Sequence, residues 1–344
     1  MLNHLPSISV AFTDFINVVS SNQQKQTVLV IGSGWGSTAF VESVDKRKYN
    51  VQVVSQSSYR LNQPRLIPDF NISYKKLSYV PINDKCISVQ KNTQSVLGMR
   101  SIYDYDYLVI ATGSEPNDFG TKGVKEHCLM FKTDIDLIKL KKTLDNKTRV
   151  TVIGAGPTGI ELAFKLESLG HKVTILEASS SILPGFSLLM QSQAMKLLEG
   201  KNIKVTLNMK ITEVSDKTIS TPTGITRRDE ILIWTCGVKP TVFVRDMTPE
   251  GRQLKTDGNL MFEPNIYAIG DVVTGHGPPT AQNAKQQGIY LANHFNNNFI
   301  SKKDYKYNEK GRILDTATGL LVEYNGRVIT LPPLFRTVFY YFTD

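Results

Sequence analysis

The chain has 344 residues, 41% hydrophobic and 21% charged, a composition that fits two or three folded units and excludes a disordered or collagen-like polymer. Forty Lys and Arg against 31 Asp and Glu leave a formal charge of +9, but the basic residues are scattered. Their short knots at 46–48 and 139–142 read as solvated helix faces, so no nucleic-acid partner is expected. Three cysteines, Cys86, Cys128 and Cys236, lie too far apart for a disulfide framework, a CxxC redox pair or a zinc site; no metal is expected, and the thiols fit a reducing compartment.

Residues 1–26 contain one Lys, no Arg and an interrupting Asp14, a poor match to a secretory signal or a transit peptide, and are expected to form an N-terminal extension. No apolar stretch approaches the roughly 18 to 20 residues of a membrane span. The VLVI run at 28–31 predicts a buried strand that leads into Gly32-Ser33-Gly34-Trp35-Gly36-Ser37 and then a small, apolar stretch fit for a helix. Residues 106–111 predict another buried strand, leaving through Thr112 and Gly113 where the chain passes from one domain to another. The VTVI run at 150–153 repeats the first pattern: it enters Gly154-Ala155-Gly156-Pro157-Thr158-Gly159, an apolar-periodic helix ending near Gly170, and a strand at 172–176 that stops at Glu177. Residues 231–236 again read as a strand with a glycine exit at Gly237, and 265–269 as a buried strand ending in Gly270 and Asp271.

The spacing has a physical reason. A buried parallel strand needs a sharp turn into its helix, so Gly154 supplies the turn, Gly156 lets the backbone approach a pyrophosphate, and Gly159 lets helix and strand pack closely. The phosphates then lie on the positive end of the helix. Glu177 is placed to accept hydrogen bonds from both hydroxyls of an adenosine ribose and to repel a 2′-phosphate, which favours NAD(H) over NADP(H). In the first copy Ser37 takes the third glycine position and Ser55 the place of Glu177. Asp271 stands at the C-terminal end of its strand, where open α/β sheets bind ligands; it reads either as a helix N-cap or as the holder of a flavin ribityl hydroxyl. The expected fold is α/β, with a first dinucleotide domain (27–117, resuming at 239–296) interrupted by a second (118–238), and a C-terminal region at 297–344.

Taken together, these stretches resemble the type II (alternative) NADH dehydrogenases, flavoproteins with two interleaved Rossmann-like domains in a glutathione-reductase-like fold. The likeness is carried by VLVIGSGWGSTAF from Val28, VVSQSSYRLNQPRLIP from Val53, YDYLVIATGSEPNDFG from Tyr105, VTVIGAGPTGIELAFKL from Val150, NIYAIGD from Asn265 and GPPTAQNAKQQGIYLANHF from Gly277, and it covers residues 27–295. It implies FAD on the turn of Gly32, Gly34 and Gly36, with Asp271 holding the flavin and Trp35, Ser55, Thr112, Gly113, Gly237, Gly270 and Ala281 among the cofactor-binding positions. It implies NADH on Gly154, Gly156, Gly159 and Glu177. Gln56 departs from the family's usual proline after Ser55. The implied reaction is hydride transfer from NADH to FAD and then two-electron transfer to a quinone, without proton pumping. No cysteine precedes Cys86, so the thiol pair that disulfide-reducing flavoproteins carry early in the first domain is absent, and electrons must pass from the flavin directly to the acceptor.

The resemblance also implies that the helix opened by Pro278-Pro279-Thr280-Ala281-Gln282 points its N-terminus at the flavin. Gln282 and Gln286, at i and i+4, share one face and are candidates to hydrogen-bond a quinone carbonyl. Glu161 either complements its helix dipole or lies near the nicotinamide and couples hydride transfer to protonation. Trp35 reads as packing against the flavin loop or as an electronic participant, and His276 as a loop residue. Residues 319–331 predict a hairpin around Asn325-Gly326. The aromatic-rich terminal segment is too short to span a bilayer and is either a monotopic anchor or a cover for the core. The family's usual tail extends further. A peripheral place on the mitochondrial inner membrane or another membrane surface is implied, and a homodimer is left open. Other readings stay open too: a soluble NADH oxidase, a ferroptosis-suppressor-like quinone reductase, or, from another class, an apoptosis-inducing-factor-like flavoprotein with mainly an interaction role.

Overall fold

A computed structural model describes residues 25–145, 148–227, 230–300 and 303–336. The expected extension as far as residue 24 and the terminal aromatic residues 338–342 lie outside the described residues.

The chain enters through β1 (Gln26–Ile31), whose Val28, Leu29 and Val30 have no exposure, turns into α1 (Trp35–Ser43) and returns in β2 (Tyr49–Ser55). The short β3 (Ile82–Asn83) pairs with β2, and β4 (Tyr107–Ile110) lies on the other side of β1. These pairings are parallel, and strands covered on both faces read as continuous apolar runs rather than as alternating ones. After β5 (Ser114–Pro116) a second unit follows: β6 (Leu129–Met130), α2 (Asp134–Thr143), β7 (Arg149–Ile153), α3 (Pro157–Ser168), β8 (Lys172–Leu176), α4 (Leu188–Gly200), β9 (Lys204–Thr206) and β10 (Ile231–Trp234). Its parallel sheet runs β6-β10-β7-β8-β9.

The chain comes back through β11 (Val238–Pro240), which pairs antiparallel with β5, Ser114 opposite Pro240 and Pro116 opposite Val238. Both crossings between the units therefore form one ribbon. Then β12 (Met261–Glu263) and β13 (Ile266–Ala268) complete the first sheet in the order β12-β13-β4-β1-β2-β3.

The long helix α5 (Ala281–Asn296) packs on α1 with backbones nearly touching. A Cβ on Gly288 would lie 2.3 Å from the Gly36 carbonyl oxygen, so only glycine permits this crossing. Phe295 closes the contact, edge-on to Phe40 with ring centroids 5.4 Å apart. Last come β14 (Arg312–Asp315), β15 (Leu320–Tyr324) and β16 (Arg327–Leu331), an antiparallel sheet. Asn325 and Gly326 join its last two strands at φ 48° and 73°, the positive values that a tight hairpin turn demands. Leu314 and Leu321, both without exposure, join the core that holds Ile160 and Leu162 of α3. Among the described residues no helix is long and apolar enough to cross a membrane, and no group of three metal-ligating side chains occurs.

Candidate functional site: two glycine turns

The two turns share their opening bond. Gly32 N–H donates to Val54 O at 2.9 Å and Gly154 N–H to Leu176 O at 2.8 Å. Gly32 and Gly154 have φ of +109° and +105°, a region that L side chains rarely adopt. A Cβ on Gly159 would come within 2.0 Å of the Gly154 carbonyl, so α3 can approach β7 only with glycine there. In the first unit the buried Ser37 takes this place, its hydroxyl donating to the Gly32 carbonyl at 2.6 Å. The side chain that intrudes thus becomes a bond to the group it would have struck.

Gly34 and Gly156 differ in kind. Their φ values of −77° and −72° are open to any residue, and a Cβ on either would meet nothing within 4 Å. Neither conformation nor packing calls for glycine. Each is the N-cap of its helix, and neither helix has a side-chain cap, so backbone N–H groups without intrahelical partners surround an open space. That donor set suits a pyrophosphate. Beside the first turn, the buried Trp35 Nε1 has no hydrogen-bond partner, and the Arg60 guanidinium stacks 3.8 Å from the centroid of the Trp35 ring.

Acceptors at the strand ends organise each turn. Glu177 is buried, its Oε2 accepting from Ala155 N–H at 2.6 Å and its Oε1 from Ser179 N–H at 2.7 Å. Ser55 has the corresponding place at the end of β2, its hydroxyl 2.8 Å from that of Ser33, the counterpart of Ala155. Thr112, Gly113 and Gly237 sit where the chain enters the crossing ribbon: Gly113 and Gly237 have φ of +67° and +53°, and the Thr112 hydroxyl lies 3.2 Å from that of Thr241.

Asp271 follows β13 in a 3-10 turn (Gly270–Val272) whose cap is Ile269, so it does not serve as the N-cap. Gly270, at φ +82°, donates its N–H to the buried Gln287 Oε1 at 2.6 Å. The Asp271 carboxylate accepts from the Ser114 hydroxyl and faces the Lys132 ammonium at 3.4 Å. Lys132 in turn donates to the Ser114 oxygen at 2.7 Å.

Gln282 and Gln286 have partners within the chain. They do share a face of α5, but residues 307–310 lie across that face. Gln282 Oε1 accepts from the Tyr307 hydroxyl at 2.9 Å and from Lys310 N–H at 2.8 Å, while the Gln286 amide exchanges bonds of 2.8 and 3.0 Å with the Asn308 backbone. An extended segment passing over a helix leaves backbone groups that need partners, and these amides meet that need. The prolines at 278 and 279 precede the N-cap, Thr280, whose hydroxyl accepts from Asn283 N–H at 3.2 Å before the helix begins at Ala281. His276 packs edge-on to Tyr305 in its loop.

Glu161 is half-buried between α3 and β14, its Oε1 accepting from Asp315 N–H at 3.0 Å. Removal from water raises its pKa to about 8, and the nearby Asp315 carboxylate adds to the rise. Asp315 is buried and paired with Arg336 through both oxygens at 2.6 and 2.7 Å. The first turn of α3 contains no acid, so Glu161 is not placed to complement the helix dipole. Burial pushes the thiols of Cys86 and Cys236 up to about 12, and Cys236 donates to the Ile153 carbonyl at 3.2 Å; neither offers a thiolate. Reading the sequence alone missed Lys132, Arg60, Asp315 and Gln287. Only the buried pairing of polar side chains with partners remote in sequence reveals them.

A family model of the pyridine nucleotide-disulphide oxidoreductases matches residues 26–288. A probable mitochondrial NADH-ubiquinone oxidoreductase of Schizosaccharomyces pombe is 25% identical over 87% of this chain and 67% of its own length. The mitochondrial external alternative NAD(P)H-ubiquinone oxidoreductase B1 of Solanum tuberosum is 28% identical over 74% of this chain and 56% of its own. The chain thus spans between 56% and 67% of the length of these curated relatives. In fold it is similar to the solved structure of NDH2 from Plasmodium falciparum in complex with NADH, with a TM-score of 0.79 at 20% identity over 92% of this chain and 93% of that one.

Proposed function

Because this chain belongs to the pyridine nucleotide-disulphide oxidoreductase family, we propose that it binds FAD at the first glycine turn and NADH at the second, and that it carries electrons from NADH to a quinone without pumping protons. The observation that carries this reading is the pair Gly34 and Gly156: two glycines at helix N-termini that nothing in the chain requires, each bordering space that a pyrophosphate would fill. The relatives' names supply the quinone and the mitochondrial setting. The domain boundaries that go with it are 27–117 and 239–296 for FAD and 118–238 for NADH.

The flavin, when bound, supplies the chemistry of accepting a hydride and releasing two electrons. The chain's own residues do the rest. The N–H groups behind Gly34 and Gly156 hold phosphates, and the Asp271 carboxylate takes a ribityl hydroxyl. Glu177, with lone pairs left beyond its two backbone bonds, takes the ribose hydroxyls and repels a 2′-phosphate. Glu161, whose raised pKa favours the protonated form, couples hydride transfer to protonation. The Cys86 and Cys236 thiols, both held protonated, take no part. A peripheral position on the mitochondrial inner membrane, with contact through the C-terminal segment, completes the proposal.

Steady-state NADH consumption by purified, FAD-loaded protein with a ubiquinone analogue, with and without liposomes, tests this. Turnover that needs the quinone supports the proposal. Turnover with O₂ alone would make the protein an oxidase, and none with either would remove the enzymatic reading.

A further inference from the structure

The Lys132 side chain leaves its own unit. Its backbone is fixed at the end of the second unit's edge strand, where its N–H donates to Asp136 Oδ2 at 3.0 Å beside the Thr133–Asp136 capping box that starts α2. Its carbonyl accepts from the Gln63 amide of the first unit at 3.1 Å. From there the ammonium reaches Ser114 on the crossing ribbon and Asp271 in the turn that follows β13 of the first unit, so one short relay joins all three parts of the molecule. Only 18% of the Lys132 side chain and 20% of that of Asp271 are exposed, so water screens this pair less than it would a surface pair.

We propose that Lys132 is a positioning residue for the flavin: a cation supplied by the NADH-binding unit that fixes Asp271 and offsets its charge, so that the site holds the two-electron-reduced flavin more tightly than it otherwise would. The inference rests on the flavin reading above. Hydride brings two electrons and one proton, so the flavin gains one negative charge on reduction. Asp271 without Lys132 would oppose that gain; with Lys132 beside it, the opposition is cancelled. By linkage, tighter holding of the reduced form relative to the oxidised form is a higher midpoint potential.

The test is the FAD affinity of the apoprotein together with the midpoint potential of the bound flavin, measured for wild type, Lys132→Met, Lys132→Arg and Ser114→Ala. Lys132→Met is expected to lower the ratio of reduced to oxidised binding about tenfold, a fall of about 30 mV for a two-electron couple. Lys132→Arg, which keeps the charge, should restore most of it, and Ser114→Ala, which keeps both charges, should leave the potential near wild type. Lys132→Gln serves if the methionine variant does not fold, because its amide can still bond Ser114. A Lys132→Met or Lys132→Gln protein that binds FAD with an unchanged potential would overturn the inference and leave the flavin reading intact. Wild type that takes up no FAD would remove both.

Discussion

The amide of Asp315 donates to Oε1 of Glu161 at 3.0 Å, so a half-buried acid of the second unit is held against the C-terminal sheet. Burial and the neighbouring Asp315 carboxylate together raise its pKa to about 8. From the ordinary value of 4.5 up to about 8 the folded chain holds a proton that the unfolded chain has released, so stability falls as pH rises through that window. Glu161→Gln should flatten this slope. Urea denaturation at several pH values within the window checks it; an equal slope in the variant would show that other groups set the dependence.

Three glycines that look alike in the sequence should separate by experiment. Gly159→Ala forces a Cβ against the Gly154 carbonyl and is expected to cost about 1–3 kcal/mol of stability. Gly34→Ala and Gly156→Ala meet no atom of the chain, so the melting temperature of the apoprotein should fall by no more than the modest N-cap preference of glycine over alanine. FAD affinity for the first and NADH affinity for the second should drop at least about tenfold, the loss of roughly 1.4 kcal/mol of binding. Unchanged affinities, read by equilibrium titration, would mean that the open spaces are not phosphate sites.

Glu177→Gln replaces one acceptor with an NH₂ that faces a backbone N–H, since both carboxylate oxygens are engaged with Ala155 and Ser179. A stability loss of about 1–3 kcal/mol is expected. With the negative charge gone, discrimination against NADPH should narrow. The ratio of kcat/KM for the two coenzymes measures this, and an unchanged ratio would detach Glu177 from the ribose.

Gln286→Ala removes both bonds to Asn308, at about 0.5–1.5 kcal/mol each. Limited proteolysis near residues 307–310 should quicken while the KM for quinone stays put. A raised KM with unchanged proteolysis would return this side chain to the quinone site.

The turns could be read from the sequence because their information is local: Gly154, Gly156 and Gly159 act within six residues, and the flanking runs at 150–153 and 172–176 announce buried parallel strands. The faces of Gln282 and Gln286 followed equally from helical spacing. What covers that face did not, because residues 307–310 have no period that would betray a segment lying across α5. Lys132 and the Asp315–Arg336 pair were hidden for the same reason. Each is a polar side chain whose partner stands far along the chain, and the crossing ribbon and the C-terminal sheet bring the partners together.

The central claim is a relay from NADH through a flavin to a quinone, and anaerobic stopped-flow absorbance in two mixing steps tests it most directly. NADH added to FAD-loaded protein should bleach the oxidised flavin band, and a short-chain ubiquinone added next should restore it as fast as steady-state turnover requires. A band that NADH leaves unchanged, or one that NADH bleaches and the quinone fails to restore, would contradict the account.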